Sequence, residues 1–397
     1  MSGPLAGVRV LDLTINVLGP LAMQLLGDMG ADVIKIETPE GDAQRRTGRG
    51  HTENMAPQFM GYNRNKRSVV LDLKQKHGLD ALLRLVEKAD VFVHALRPAA
   101  AARLGIGYAA IAARNPRIIY AYGSGYRKDG PQAELPAYDD VLQGTAGIAG
   151  LIGRVTGEPR FAPLVMIDQL CGYVLASAIG MALYHRQRTD EGQEVQVPMF
   201  ETAVAFVMHQ HLWGKCFDPP VSGMGYTRVL SPLRKPYATQ DGYICVLAVS
   251  DEQWRRLLAA IDRPELAQDP RFAKIDARTQ HIETLYGILE AQLKERTTAE
   301  WRQRFDAADL PNGPVNSLED LFDDPYLNES GFWRRHQHPT EGTWIDTAPP
   351  TYFSRSPGGV RRLPPKLGEH TREVLAEAGY SEPEIDRITA AAKGARL

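Results

Sequence analysis

Cysteine is scarce in this chain and badly placed for a structural role. Three occur in 397 residues, Cys171, Cys216 and Cys245, far apart and with no Cys-x-x-Cys pair. That excludes a disulfide framework, argues against structural zinc and fits a reducing compartment. Long apolar runs are missing too. None reaches membrane-spanning length without interruption, and Met1-Ser2-Gly3-Pro4 begins no basic-then-apolar segment, so a cytoplasmic protein with no membrane partner is expected. Charge of one sign is not in excess: 46 Lys and Arg stand against 48 Asp and Glu, a net −2. Bulk attraction to nucleic acid is therefore lacking, and an anionic ligand must be held by a local basic cluster. The expected partner is a small molecule, with no nucleic acid.

What is present is ordinary for a globular protein of two domains, with 43% hydrophobic and 24% charged residues. Val8 to Leu13 is a β-branched apolar run, Pro20 to Met29 a helix stopped by Gly30, and Asp32 to Glu37 a second strand. The alternation continues with strand Ser68 to Leu73, helix Gly78 to Lys88, strand Asp90 to Val93, helix Tyr108 to Arg114 and strand Ile118 to Ala121. An open parallel sheet covered by helices follows.

A dinucleotide fingerprint is also lacking. The turn after the first strand is Thr14-Ile15-Asn16-Val17-Leu18-Gly19-Pro20, without Gly-x-Gly-x-x-Gly, which argues against a nicotinamide dehydrogenase and leaves Glu37 as a surface or capping acid. Arg64-Asn65-Lys66-Arg67 precedes a strand, and Lys74, Arg97 and Arg103 follow near strand ends. Such a set is either a solvated basic face or a site for a diphosphate at the sheet edge.

Gln143 to Gly150 is rich in small residues, and Pro219 to Pro236 in Pro and Gly, which reads as a linker. Beyond it, a strand from Asp241 to Val246 and helices at Glu252 to Ile261, His281 to Glu295 and Thr298 to Ala308 form a smaller domain ending near Asp324. A last helix is expected at Thr371 to Ala378. His209 with His211, and His336 with His338, are two apart, which does not place a pair on one helix face, and neither has acids or cysteines at ligand spacing. No metal is expected.

Asp168 stands at the joint between Ala162-Pro163-Leu164-Val165-Met166-Ile167 and an apolar helix at Val174 to Tyr184. Two readings fit one geometry. Asp168 is an N-cap for that helix, or it is a nucleophile whose anion the helix end stabilises, with amides near Gln169 and backbone near Gly144 receiving an oxyanion.

These stretches together resemble the class III coenzyme A transferases. The resemblance is carried by Leu5-Ala6-Gly7-Val8-Arg9-Val10-Leu11-Asp12-Leu13-Thr14 with Gly19-Pro20, by Gly30 to Glu37, by Asn63-Arg64-Asn65-Lys66-Arg67-Ser68, by Asn115-Pro116-Arg117, by Arg188-Thr189 with Gly192-Gln193, and by Leu367-Gly368-Glu369-His370-Thr371. It implies an α/β fold: a Rossmann-like open parallel sheet in a large domain of residues 1–220 and 326–397, a smaller inserted α/β domain at 221–325, and an interlocked homodimer. It implies no permanently bound cofactor, coenzyme A and acyl-CoA as substrates, and a small organic acid, in some members a dicarboxylate, as acceptor.

The resemblance also carries residues over. Asp168 is the catalytic aspartate. Asn16 and Val17 lie at the nucleotide or pantetheine, Leu71-Asp72-Leu73-Lys74 near the adenine, Arg97 and Arg103 near the phosphates, and Leu135 to Tyr138 near the thiol. The same family contains α-methylacyl-CoA racemases, in which a histidine thirty residues before the aspartate works with it. That position here is Tyr138, a poor base at neutral pH, beside Asp139 as the alternative base. Where many transferases of the resembling family have Asn-Phe-Arg-Pro-Gly this chain has Ala95-Leu96-Arg97-Pro98-Ala99, and it departs from the formyl-transferring branch in Val17, where that branch has a glutamine, and in the short Ser222-Gly223-Met224-Gly225 in place of a glycine run. Arg228, Arg234 and Lys235 are candidates to pair a distal carboxylate.

Overall fold

A computed structural model describes residues 3–394. The chain divides into two compact units, one of residues 1–146, 162–205 and 328–397, the other of residues 147–161 and 206–327. The sequence placed the division in the Pro- and Gly-rich stretch near 220. The division by contacts falls instead inside a helix and gives a second short segment to the smaller unit.

In chain order the elements are β1 (Arg9–Leu13), α1 (Leu18–Asp28), β2 (Asp32–Glu37), α2 (Pro57–Tyr62), β3 (Lys66–Val70), α3 (Lys76–Val86), β4 (Val91–His94), α4 (Pro98–Arg103), α5 (Tyr108–Arg114) and β5 (Ile119–Ser124). Then come α6 (Asp139–Thr145), α7 (Ile148–Thr156), α8 (Met166–Thr189), β6 (Gln193–Pro198) and α9 (Met199–His211). The six strands form one all-parallel sheet in the order β3-β2-β1-β4-β5-β6. The sheet is a Rossmann-like one, built from the βα alternation the sequence displays. Its central strands are buried on both faces, which explains their near-continuous Val, Ile and Leu. Leu11, Ile34, Val69, Phe92 and Tyr120 share a core with Leu82, Leu85 and, from the C-terminal helices, Val374, Leu375 and Ile385.

Helix α8 runs 24 residues, from eight residues before the expected start to five past the expected end. Its length and composition suffice to cross a membrane, which the sequence reading did not anticipate because Asp168 sits within its first turn. One side of it is buried through Ile167, Cys171, Gly172, Leu175 and Ile179, and it packs on α1. Gly172 permits that approach, since a Cβ there would lie 2.9 Å from Leu18 O and 3.1 Å from Leu21 Cδ2.

The smaller unit holds a three-stranded antiparallel sheet of Tyr237–Ala238, Tyr243–Val246 and Asn312–Pro314. Helices Asp251–Ala260, Ile282–Gln292 and Thr298–Ala307 surround a core of Trp254, Leu257, Leu285, Trp301 and Phe305. Two of these helices start in capping boxes, Ser250 with Gln253 and Thr297 with Glu300, the signal that makes helix starts legible in sequence. Of the three cations proposed for a distal carboxylate, Arg228 is spent on the Tyr286 hydroxyl (3.1 Å) and Ala248 O (3.0 Å), and Lys235 pairs with Glu290 at 2.9 Å.

Candidate active site

In an all-parallel sheet every strand's C-terminal end lies on one edge, and the order β2-β1-β4-β5 puts the switch of direction between β1 and β4. Ligands of open α/β sheets bind there. The turn leaving β1 carries Asn16 and Val17, and the turn leaving β4 carries Arg97. The turn after β3, with Leu71 to Lys74, lies three strand spacings from β4, about 14 Å along the same edge.

The β1 turn is built on buried charge. Asn16 is held left-handed, φ 66°, and its N–H donates to Asp42 Oδ1 at 3.3 Å. Lys35 Nζ donates to Thr14 O at 2.8 Å and to Asp42 Oδ2 at 3.0 Å. Beneath, Lys66 Nζ reaches Asp12 Oδ2 (3.1 Å), Asn63 Oδ1 (2.9 Å) and Pro20 O (3.0 Å). Burial acts to raise the Asp12 carboxyl, but Lys66 and Lys35 outweigh it and hold the group low.

The basic run at 64–67 is therefore neither a solvated face nor a phosphate site. It lies at the N-terminal end of β3, on the opposite sheet edge, and its charges are consumed within the protein. Arg64 binds Asp28 through Nε at 2.9 Å and through a second nitrogen at 2.7 Å, and also pairs with Asp346. Arg67 pairs with Asp32, Glu373 and Glu377. Glu37 is likewise no surface acid. It is buried, 2.7 Å from Arg45, with Ser68 Oγ donating to it at 2.6 Å. A cavity of about 420 Å³ lined by Arg9, Asp32, Arg67, Arg361, Arg362 and Glu377 lies at that opposite edge, where Arg9 and Arg67 are paired with Asp32 and Glu377.

The residues expected at the ligand divide by exposure. Val17 and Leu71 have buried side chains, so only their backbone is available. Asp72 Oδ1 accepts from Lys74 N at 3.0 Å, fixing the turn from which Lys74 is exposed. Arg97 and Arg103 are exposed at the start and end of α4, about 9 Å apart along its axis. Tyr138 is 70% exposed and precedes α6.

Asp168 is not the N-cap of α8. Val165 holds that position and offers no side-chain bond, and Asp168 is the third residue of the helix. The cap comes from elsewhere: Asp139 Oδ2 accepts from the N–H of Ile167 at 2.7 Å and of Asp168 at 2.9 Å. The other Asp139 oxygen accepts from Gln143 Nε2 at 2.6 Å. Gln143 also donates to Leu164 O at 3.1 Å and accepts from Ala162 N at 2.8 Å. The helix-end amides expected to receive an oxyanion are thus occupied, that of Gln169 by Val165 O at 3.2 Å. Asp139, with both oxygens engaged, is not placed to act as the alternative base.

The Asp168 side chain itself accepts no hydrogen bond among the described residues and is half-buried. Burial first, and the Asp139 charge second, push its carboxyl up to about 7. Burial, and then the Asp168 charge, raise the phenol of Tyr62 at the end of α2. Cys171, one turn along α8, is pushed up to about 12 by burial and then by Asp168, which keeps it a thiol. Gly172 packs on the start of α1, which follows the β1 switch-point turn, and Asp168 is about one helical turn from Gly172 along α8. The sequence signal for the missed partners was Asp139 and Gln143, four apart and so on one helix face. Read as part of a small-residue stretch, Gln143 was passed over.

Comparison with known proteins bears on this site. Residues 5–371 match the family described as CoA-transferase family III. The chain is 33% identical over 390 residues to a succinate–glutarate CoA-transferase of Agrobacterium fabrum, covering 94% of this chain and 95% of that one. It is 34% identical over 391 residues to a probable fatty acyl-CoA transferase of Mycobacterium tuberculosis, with 94% and 98% covered. The crystal structure of that mycobacterial protein superposes with a TM-score of 0.82, at 33% identity, over 94% of this chain and 99% of its own. A CAIB/BAIF family protein from Brucella suis gives 0.79 at 30% identity, with 95% and 100% covered.

Proposed function

Since this chain belongs to CoA-transferase family III and is an acyl-CoA:carboxylate CoA-transferase, we propose that Asp168 is the nucleophile of its transfer reaction. The observation that carries the reading is a half-buried carboxylate in the first turn of α8 that accepts no hydrogen bond among the described residues. A group so placed is held for a substrate rather than for the fold.

The Asp168 carboxylate oxygen attacks the thioester carbonyl of the donor acyl-CoA. The C–S bond breaks and CoA thiolate leaves an acyl-aspartyl anhydride. The thiolate then attacks the aspartyl carbonyl, releasing the donor acid and forming an aspartyl-CoA thioester. An acceptor carboxylate attacks that thioester and expels the thiolate, which finally attacks the acceptor's carbonyl and frees Asp168. The activation stays covalent throughout, and water must be excluded because an anhydride hydrolyses.

Coenzyme A lies, on this reading, along the C-terminal sheet edge. The backbone at Asn16 and Val17 meets the nucleotide or pantetheine, the turn Leu71-Asp72-Leu73-Lys74 the adenine, and Arg97 and Arg103 the phosphates, with Tyr138 at the thiol end. The acceptor is a small organic acid; a dicarboxylate is favoured by the succinate–glutarate relative. We further infer a homodimer, interlocked as in the resembling family. It is supported by an apolar stripe left exposed on α8, with Tyr173, Val174, Met181 and Tyr184 at helical spacing.

The test is brief incubation with a panel of short acyl-CoAs, a hydroxylamine quench and peptide mass mapping. A hydroxamate on Asp168 is expected, strongest with the true donor. An unlabelled Asp168, with deuterium from the solvent entering the α-carbon of a 2-methylacyl-CoA, would sink the transfer mechanism.

A further inference from the structure

We propose that Asp139 is a positioning residue for Asp168: its carboxylate closes the start of α8 so that Asp168 need not, and its charge favours the uncharged, acylated form of Asp168. The inference rests on Asp168 being the nucleophile.

An aspartate at the third position of a helix ordinarily turns back to the free amides of that helix end. Here those amides are satisfied first, since Ile167 and Asp168 both donate to Asp139 Oδ2, at 2.7 and 2.9 Å. Gln143 holds the other Asp139 oxygen at 2.6 Å and ties it through Leu164 O and Ala162 N to the strand of chain leading into α8. The clamp is buried, with Asp139 only 5% exposed. Its effect is to fix the backbone that carries Asp168 while leaving the Asp168 carboxylate without a competing partner.

The second effect is electrostatic. Asp139 from α6, in contact with the Asp168 backbone, Tyr62 at the end of α2 and Cys171 on α8 are the titratable groups in electrostatic reach of Asp168. None brings a positive charge, and Asp139 brings a negative one. A free carboxylate there is penalised by burial and repelled by Asp139. In the anhydride or the thioester the same side chain is neutral, and the penalty is gone. What favours the proton on Asp168 therefore also favours an acyl group or coenzyme A on it, because both remove the charge. Asp139 in this way raises the population of the aspartyl-CoA thioester without touching the reacting atoms.

The experiment compares wild type with Asp139→Asn and Asp139→Ala, each checked by thermal melting. Two quantities are read: the pH midpoint of Asp168 labelling by hydroxylamine trapping, and the ratio of aspartyl-CoA thioester to free Asp168 by intact-protein mass under saturating acyl-CoA. Asn keeps an oxygen for the α8 amides and removes the charge. It should melt between wild type and Asp139→Ala, because its amide meets the Gln143 Nε2 donor, with a lower pH midpoint and a thioester ratio reduced on the order of 10-fold. Ala should lose rate further, because the helix start loses its acceptor. A thioester that forms in wild type and is equally populated in Asp139→Asn, with the same pH midpoint, overturns this inference alone. Absence of any Asp168 adduct in wild type overturns both it and the nucleophile assignment.

Discussion

Nε2 of His94 lies 2.6 Å from the phenol oxygen of Tyr120, and both side chains are buried. The other ring nitrogen, Nδ1, accepts from Leu96 N at 3.1 Å, so the proton is on Nε2 and is donated to Tyr120. Tyr120 passes its own to Ile106 O at 3.0 Å. One imidazole thus ties the end of β4, strand β5 and the turn after α4, and fixes the backbone that leads to Arg97.

Burial pushes His94 down to about 4. Its folded value lies below the ordinary 6.5 or so, so between those pH values the unfolded chain binds the proton and the folded one does not. Stability from this group is therefore full above pH 6.5 and is lost as pH falls toward 4. Replacing His94 with Phe should flatten that acid slope in urea titrations at pH 7 and 5. It should also cost about 1–3 kcal/mol at pH 7, because Leu96 N–H loses its acceptor and the Tyr120 phenol oxygen loses its donor. An unchanged acid slope would contradict the assignment of a neutral, buried imidazole.

The sheet was legible because buried parallel strands write themselves as apolar runs, and the strand Asp32–Glu37 and helix Tyr108–Arg114 fall where the sequence places them. The helix α8 was misjudged at its start because Asp168 and Gln169 interrupt the apolar run within its first turns, while the group that caps it, Asp139, is 29 residues away. Long-range caps leave no local signature. The same holds for Arg64 to Arg67. Their local context reads as a basic turn, and only the partners Asp28, Asp32 and Glu377, distant in sequence, turn them into buried pairs.

Asp168 is raised to about 7 by burial and by Asp139, which makes the folded chain the better proton binder between the ordinary carboxyl value near 4 and pH 7. Its contribution to stability accordingly falls as pH rises through that range. Asp168→Asn should be more stable than wild type at pH 8 by roughly 2 kcal/mol, allowing for the solvent the half-buried group still meets, and indistinguishable near pH 4. Transfer activity of the same variant should drop on the order of 10³-fold or more. In wild type, kcat/KM should rise through about pH 7 as Asp168 ionises. An Asn variant less stable than wild type at pH 8 would show that the carboxylate is not strained by its surroundings.

Gly172 makes a third expectation. A Cβ at this position would press on Leu18 O at 2.9 Å and on the Leu21 side chain, and the backbone oxygen has no rotamer by which to yield. Gly172→Ala should cost about 1–3 kcal/mol in denaturant titration, as overpacking does. Asp168 is one turn away on the same helix, so kcat should fall as well. A stability loss with unchanged kcat would mean that α8 absorbs the shift without moving its first turn.

The buried pair Lys35–Asp42 offers the sharpest separation of binding from chemistry. Lys35 Nζ holds Thr14 O and Asp42 Oδ2, while Asp42 Oδ1 accepts from Asn16 N and from Gln44 N at 3.0 Å. Both side chains are completely buried. Asp42→Ala removes the hydrogen-bonded partner of Lys35 and leaves Asp12 and Glu37 as the acids near the buried ammonium, which should destabilise the fold by about 1–3 kcal/mol. Asp42→Asn is milder, since it keeps an acceptor for Asn16 N and Gln44 N and loses the charge and the acceptor for Lys35 Nζ. Its effect should fall on the turn after β1, where coenzyme A is proposed to bind, and not on Asp168. KM for acyl-CoA should therefore rise several-fold while kcat stays within about twofold. If Asp42→Asn instead lowered kcat and left KM untouched, the β1 turn would belong to the reacting centre rather than to the coenzyme A contact.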